Sequence, residues 1–336
     1  MTRLKLVLLG LVCTVILTTT AFETHAETAA PFYTVNQNPF IQLHGLPPLE
    51  RGEITATNAT TSWTTLDIAS NSISESKQQE QIILDGESYR LNFMFRHGLQ
   101  KDIEVGFDIP YISHSGGTLD GFIRKWHDIF GLSNSERNQF QNNQLRYEYR
   151  RNGRTIQNMR TQTNGIGDIR LSAARQMRCQ KSPEHHCTAL RAGLKLPTGK
   201  ADRLTGSGGI DLSLAVSTTR TYRRYTFHYG GGVLLNGDND LLSGQQKRAV
   251  GFANLGINYQ PQRFSWMVLK AQLDGNSAFY DSALKNLGSD SLLINVGGTI
   301  RFTERVALDI GVAEDIVTST VPDVAFHLAL RLQNQR

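Results

Sequence analysis

The sequence predicts an all-β protein, an antiparallel transmembrane β-barrel of about 12 strands with one short amphipathic helix in a long extracellular loop. Three observations point to this fold. The chain begins with an export signal, apolar and polar residues then alternate in segments of about ten residues, and the connections between those segments alternate between short turns and long loops.

The first segment has the three parts of a secretory signal peptide. Arg3 and Lys5 precede an apolar run at 6–20, and Thr24-His25-Ala26 supplies a small-x-small cleavage pattern. We expect residues 1–26 to be removed after Ala26. An uncleaved anchor is the alternative, although the apolar run is close to the short limit for a spanning helix.

Composition alone does not reveal a membrane protein. The 336 residues have a formal net charge of +5, 39% hydrophobic residues and a mean hydropathy of −0.31, values that also suit a soluble protein. The membrane prediction therefore depends on the alternation of residues. So mild a positive charge argues against a nucleic-acid partner.

Period-two alternation is clearest in the last segment. Its apolar positions are Val324, Phe326, Leu328, Leu330 and Leu332, and the intervening positions are Ala325, His327, Ala329 and Arg331. A soluble β-sandwich also alternates, but long strands and an inner face that mixes small residues with both signs of charge favour a barrel in lipid.

The connections support an even number of strands. Short ones are predicted at 99–101, 179–187, 219–224, 261–263 and 303–305, and longer ones at 71–79, 113–165, 198–208, 236–248, 275–289 and 315–322. With a first strand near 53–69, all short turns and both termini fall on one side, as in bacterial barrels. Two runs around Asn152-Gly153 are interpreted as an extracellular hairpin; including them in the wall would give 14 strands.

We expect one barrel domain at 53–333, preceded by an extended lead-in at 27–52 that is rich in proline. The lead-in either enters the lumen or lies on the periplasmic rim. Inward-facing charged residues are the best candidates for a functional lumen; their alternative is an ion-paired interior that only stabilises the barrel. These candidates are Arg90, Arg96, Glu104, Asp108, Asp168, Arg170, Arg191, Lys195, Asp211, Arg301, Asp309 and Arg331.

One segment of the longest loop has helical periodicity instead. Its apolar positions include Phe122, Ile123, Trp126, Ile129 and Phe130, and charged residues lie on the other side. Such an apolar stripe must be buried. It could pack on the rim or inside the mouth as a structural plug, or it could act as a gate or docking surface that controls passage.

Cys179 and Cys187 flank a turn that contains a proline, and in an oxidising compartment we expect them to form a disulfide. The alternative is a metal site formed with His185 and His186, but the spacing matches no standard zinc pattern, so we predict neither a metal nor a cofactor.

The sequence contains no standard catalytic motif, and we expect no enzymatic activity. The nearest candidate is Ser113-His114-Ser115-Gly116-Gly117 at the end of a predicted strand. Outer-membrane lipases place a serine and a histidine at the mouth of a barrel, but here no third, orienting residue is evident, and such a loop is more often turn chemistry.

Four sequence stretches resemble a family of predicted proteobacterial outer-membrane barrels, domain of unknown function 3187. They are Asn38-Pro39-Phe40 with His44-Gly45-Leu46-Pro47, the loop Leu119-Asp120-Gly121-Phe122-Ile123 with His127 and Phe130-Gly131-Leu132, Gly165-Ile166-Gly167-Asp168-Ile169, and Leu196-Pro197-Thr198-Gly199 with Thr205-Gly206. The resemblance implies the barrel fold and a Gram-negative outer-membrane location, and the family has no established activity that could be carried over.

Three functions follow as hypotheses. The first is a porin-like or uptake barrel for a small solute, the second a non-conducting structural or surface-interaction barrel, and the third a lipid-acting enzyme. The expected partners are the outer-membrane bilayer and the barrel-assembly machinery. The predicted final strand departs from the common outer-membrane pattern, because Leu332 is followed by a polar tail rather than by a terminal aromatic residue.

Overall fold

The computed structural model describes residues 29–130, 141–180, 185–303, 305–316, 322 and 324–334, with side chains at 126–130 and 333–334 excepted. Its strands are β1 Thr60–Lys77, β2 Glu80–Gln100, β3 Ile103–Ser115, β4 Arg146–Arg151, β5 Arg154–Met159, β6 Thr163–Ile166, β7 Arg170–Gln180, β8 His185–Lys195, β9 Asp211–Tyr222, β10 Tyr225–Asn236, β11 Ala249–Tyr259, β12 Met267–Asn276, β13 Ser291–Arg301, β14 Val306–Asp315 and β15 Val324–Asn334. Its helices are α1 Asp120–Phe130 and α2 Lys285–Gly288. Neither helix is long and apolar enough to cross a membrane.

Twelve of the described strands close into an antiparallel barrel. Strands β1, β2, β3 and β7 to β15 each pair with their neighbours, and β15 returns to β1 in a continuous register from Thr60 opposite Asn334 to Ser70 opposite Val324. This confirms the predicted fold and strand number. Closure leaves no free sheet edge in the wall, which is why strands can form a stable structure in lipid.

The pleat separates the wall residues as the alternation predicted. In β9, Leu212, Leu214 and Val216 point outward and are 39%, 43% and 46% exposed, while Asp211 and Ser213 point inward and are buried. Successive side chains of a strand point to opposite faces, so one apolar residue in two creates an apolar outer surface.

Two regions differ from the prediction. The first strand begins at Thr60 rather than near residue 53, so residues 53–59 extend the lead-in. The predicted loop at 71–79 is instead a continuation of β1 and β2, which stay paired as far as Lys77 and Glu80. The strands continue because Ile73, Ile82 and other residues beyond the wall bury apolar side chains of their own.

This long hairpin carries the β4–β5 hairpin on the other edge of β2, outside the closed wall. This confirms the predicted hairpin and its place outside the wall, while its extracellular location stays a prediction. The positive φ of Asn152 (51°) and Gly153 (74°) provides the tight turn between its strands.

The two ends of the barrel differ, and we name them the short-turn end and the long-loop end. Exposed aromatic residues surround the short-turn end, namely Tyr222, Tyr225, Phe264, Trp266 and Phe302. Amphipathic aromatic rings at this level are typical of a barrel at a membrane interface. The predicted disulfide between Cys179 and Cys187 is present there and joins β7 to β8.

Candidate functional site

The lead-in lies inside the barrel and crosses the lumen twice. It begins at the short-turn end, where Asn258 Nδ2 donates to the Ala29 carbonyl at 3.0 Å. It reaches the long-loop end at Phe40, whose carbonyl accepts a hydrogen bond from Tyr280 at 3.0 Å. It then returns, and the Gly52 N–H donates to Thr219 Oγ1 at 2.9 Å at the short-turn end. The sequence left two positions open for the lead-in, the lumen and the periplasmic rim, and the structure shows it in the lumen.

The outgoing leg of the lead-in, from residue 29 to its apex at residue 40, forms hydrogen bonds with side chains of the wall instead of with a neighbouring strand. The Gln272 amide accepts from the Phe32 N–H at 2.9 Å and donates to the Phe32 carbonyl at 3.2 Å. Thr34 Oγ1 donates to Asp67 at 3.1 Å. Opposite Phe32 the wall has Gly311, where an added Cβ would lie 3.0 Å from the phenyl ring. The wall therefore leaves room for this leg.

A cluster of apolar side chains around the apex of the lead-in closes the long-loop end; we call it the cap. It combines the apex with the β1–β2 tip, the β4–β5 hairpin and the connections after β8, β10 and β12. Phe40, Ile82, Tyr147, Leu242 and Phe279 are representative members, and each is almost fully buried. Burial of this apolar surface stabilises the closed arrangement.

His44 joins the returning leg to the cap. Its Nε2 lies 2.8 Å from the Tyr280 hydroxyl, and since that hydroxyl gives its proton to Phe40, His44 Nε2 is the donor. The ring stacks on Phe279 with centroids 4.9 Å apart. Burial lowers the pKa of His44 below its usual value, although the nearby Asp211 carboxylate partly opposes this. The site therefore favours neutral histidine.

Glu50 is the centre of the strongest contact between the lead-in and the wall. Its carboxylate accepts from Arg96 Nη2 at 3.0 Å and from Arg191 Nη1 at 3.1 Å, and it lies 3.6 Å from Arg170 Nη2. Burial by itself would raise the pKa of Glu50, but the three guanidinium groups hold it below its ordinary value. Glu50 is therefore ionised in place.

Two wall carboxylates complete this cluster. Asp108 binds Arg96 at 2.7 Å and Arg170 at 2.6 Å, and Glu104 binds Arg191 at 2.9 Å. The three arginines thus face three carboxylates, one of them from the lead-in. Removing Glu50 would leave a buried net positive charge in the wall.

A second cluster explains two sequence motifs of the family resemblance. Asp168 accepts from the Gly199 N–H at 2.8 Å, the Ser207 N–H at 2.9 Å and Lys195 Nζ at 2.7 Å, which ties the loop after β8 to the start of β7. Lys195 also lies 3.1 Å from Asp211, which in turn accepts from the Gly45 N–H of the lead-in at 2.9 Å.

The remaining predicted lumen residues lie as follows. Asp309 binds Lys270 at 2.9 Å and lies 3.8 Å from Arg331. Arg90 donates to the Gln42 carbonyl of the lead-in at 2.9 Å. Arg301 lies at the short-turn end of β13. Ten of the twelve predicted residues belong to the three ionic clusters of Glu50, Asp168 and Asp309. Their function as a solute path is not tested by these positions.

Sequence reasoning missed Glu50 and Lys270. Lys270 could have been found, because it alternates with outward Leu269 and Ala271 in β12. Glu50 lies in a proline-rich segment without periodicity, so no local pattern indicated its role.

Helix α1 lies on the outside of the barrel rather than in its mouth. Glu87 occupies an outward position of β2, in register with outward Phe93, yet it is only 1% exposed. Its carboxylate accepts from the N–H groups of Thr118 and Leu119 at 2.9 and 2.6 Å. The segment that leads into the helix thus covers the outer face of β2.

The described side chains of the helix agree with this position. The Phe122 ring lies 5.8 Å from Phe326, an outward residue of β15, and Ile123 is fully buried. Of the predicted positions, the rim or the inside of the mouth, Phe122 does not occupy the mouth, because its ring packs on the outer face of the wall. A role as a gate or docking surface stays a prediction. Trp126, Ile129 and Phe130 lie outside the described side chains.

The histidine considered for catalysis is a structural link. His114 is fully buried, with Nδ1 2.8 Å from Ser88 Oγ and Nε2 2.8 Å from the Leu204 carbonyl. Both ring nitrogens are thus used to join β3 to β2 and to the loop after β8.

Comparison with known proteins places the chain in a family. The family described as "Protein of unknown function (DUF3187)" matches residues 7–333. The chain belongs to this family. A comparison with curated proteins finds no match.

Solved structures show what this family's fold resembles. The COG4313 outer membrane channel from Pseudomonas putida F1 has a TM-score of 0.55 and 12% identity, covering 84% of this chain and 97% of that one. This likeness shows that the chain has the fold of an outer-membrane channel barrel. The toluene transporters TodX of Pseudomonas putida and TbuX of Ralstonia pickettii give TM-scores of 0.36 and 0.35, identities of 8% and 9%, and coverage of 91% and 92% of this chain and 94% and 96% of theirs. Scores this low do not bear on the fold.

Proposed function

We propose that the protein is a Gram-negative outer-membrane channel whose lumen is closed by its own lead-in, residues 29–59 of the described chain, and opens for a small solute when the lead-in moves. The short-turn end then faces the periplasm and the cap faces the cell exterior. The observation that carries the proposal is that a separate chain segment, rather than wall side chains, occupies the lumen.

Polar contacts hold the lead-in to the wall along both of its passages through the lumen. Hydrogen bonds to Gln272, Thr219 and Asp211 and the ionic cluster of Glu50 hold the segment. Each hydrogen bond contributes about 1 kcal/mol net, since water can replace the partner when the segment leaves. A lumen lined by charged and amide groups would then fill readily with water.

Inward-facing glycines support a segment that is separable from the wall. Gly230 and Gly311 leave space for Leu49 and Phe32, each of which would lie 3.0 Å from an added Cβ. A barrel that needed only a filled interior could place larger wall side chains at these positions. The wall is instead shaped around an occupant.

The route of the lead-in also agrees with export and cleavage. Ala29 lies at the short-turn end, and the proposed mature N-terminus at Glu27 is two residues away along the chain. Cleavage after Ala26 would therefore release the N-terminus on the periplasmic side, where the barrel-assembly machinery inserts the strands.

A non-conducting structural barrel is the second candidate, and the cap favours it. Its apolar members come from the lead-in and from several loops, and opening would expose their surface to water. Neither candidate includes a catalytic step.

Conductance of the purified protein in planar bilayers tests the proposal. Wild type should be closed with brief openings, and a variant lacking residues 29–52 should show long openings of the same conductance. If the wild type never opens under any voltage, the non-conducting candidate is correct and the channel proposal is wrong.

A further inference from the structure

Among the residues that the structure describes, the lumen-facing Arg90 has no carboxylate within ion-pair distance. Arg96, Arg170 and Arg191 are each ion-paired, whereas Arg90 donates a hydrogen bond to the Gln42 carbonyl. Arg90 is partly buried, and a guanidinium withdrawn from water without a counter-ion is costly unless an anion can approach it.

The other charges around Arg90 are already engaged. Asp67 lies opposite Arg90 in the β1–β2 register, but its Oδ1 accepts from Thr34 at 3.1 Å and contacts His327 Nδ1 at 2.7 Å. Asp108 is occupied by Arg96 and Arg170. Asp67, Asp108 and Asp168 therefore act on Arg90 only from beyond ion-pair distance, and no described carboxylate pairs with its guanidinium directly.

Arg90 borders a cavity of about 40 Å³ between the two legs of the lead-in and the wall. At about 10–15 Å³ for each water-sized sphere, this is room for three heavy atoms. The cavity also adjoins Gln42 and Asn92, which are 2% and 9% exposed. Within the described part of the chain, both amide atoms of Gln42 and Oδ1 of Asn92 have no hydrogen-bond partner.

We propose that this cavity binds a carboxylate, held by the Arg90 guanidinium with the Gln42 amide as a second donor. The planar fork of arginine matches the two oxygens of a carboxylate, and the three heavy atoms of such a group fit the space. The carboxylate could be a free small acid or the end of a larger solute. This inference rests on the proposed function, because a solute that passes beside the lead-in meets this cavity.

Binding of ¹³C-formate to the detergent-solubilised closed protein tests the site without requiring conductance. Wild type should broaden the formate resonance in a saturable manner, and Arg90→Gln should weaken binding at least tenfold. Gln42→Leu, which keeps the charge, should weaken it less. Arg146→Gln is the matched control, since Arg146 pairs with Glu148 on the β4–β5 hairpin, outside the lumen. Heat-modifiable migration on gels verifies that each variant retains its barrel.

Competing salts separate the sources of the anion. Benzoate that displaces formate would support a carboxylate on a larger solute, and failure to displace it would support a free small acid. Equal displacement by bromide would overturn the assignment to carboxylates. Absence of formate binding, or binding that Arg90→Gln leaves unchanged, would overturn the site itself, whatever the conductance experiment shows.

Discussion

Replacing Glu50 by glutamine should release the lead-in. The substitution removes one of three carboxylates that face three buried arginines, which leaves a net positive charge in the wall. Breaking a buried ion pair costs about 3–5 kcal/mol, and the lower end applies because Asp108 and Glu104 still bind the arginines. At about 1.4 kcal/mol for each factor of ten, the open fraction should rise roughly hundred-fold.

Single-channel recording measures this fraction directly. Glu53→Gln is the matched control, since Glu53 lies on the same segment, is 22% exposed and is 3.5 Å from His185. A pair of this kind contributes about 1 kcal/mol or less, so the control should change the open fraction by less than about fivefold. If Glu50→Gln changes it no more than the control does, the assignment of Glu50 as the main attachment is refuted.

Three further changes, a lower pH and the variants Gly311→Val and Phe122→Ala, should affect the docking of the lead-in and the packing of helix α1. Burial lowers the pKa of His44 from its usual 6.5, so as the pH falls His44 is protonated first in the undocked lead-in. Docking that is stable at neutral pH should therefore weaken below that value. Channel openings should increase from pH 7 to pH 5.5 in wild type and not in His44→Gln. Gly311→Val should crowd Phe32 and destabilise docking by about 1–3 kcal/mol, seen as faster proteolysis of the lead-in in a barrel that still migrates as folded. Phe122→Ala should loosen helix α1 without changing conductance, and a changed conductance would mean that the helix acts on the lumen.

The strands of the wall were predictable because the alternation that places them in lipid lies within each strand's own sequence. Each strand carries its own alternation, and one residue in two must face lipid, so β9 or β15 could be recognised without knowledge of its neighbours. The β4–β5 hairpin was predicted for the same reason, since Asn152-Gly153 favours a tight turn.

The contents of the lumen were not predictable in the same way. The Phe32 pairing with Gln272 and the Tyr280 bond to Phe40 each join residues 240 positions apart in sequence, and no periodicity records such contacts. The inward direction of Arg96 and Arg191 could be predicted, but their shared partner Glu50 could not.

A disulfide that fixes the lead-in inside the lumen should decide whether movement of the lead-in opens the channel. A Cβ built on Gly45 would lie 3.1 Å from Asp211 Cβ, near the separation of about 3.5–4.5 Å that a disulfide requires, so Gly45→Cys with Asp211→Cys should join the lead-in to β9. We expect the oxidised double variant to show no openings and to recover them on reduction, while each single variant behaves alike in both conditions. Openings that persist unchanged in the oxidised variant would contradict a channel closed by its lead-in.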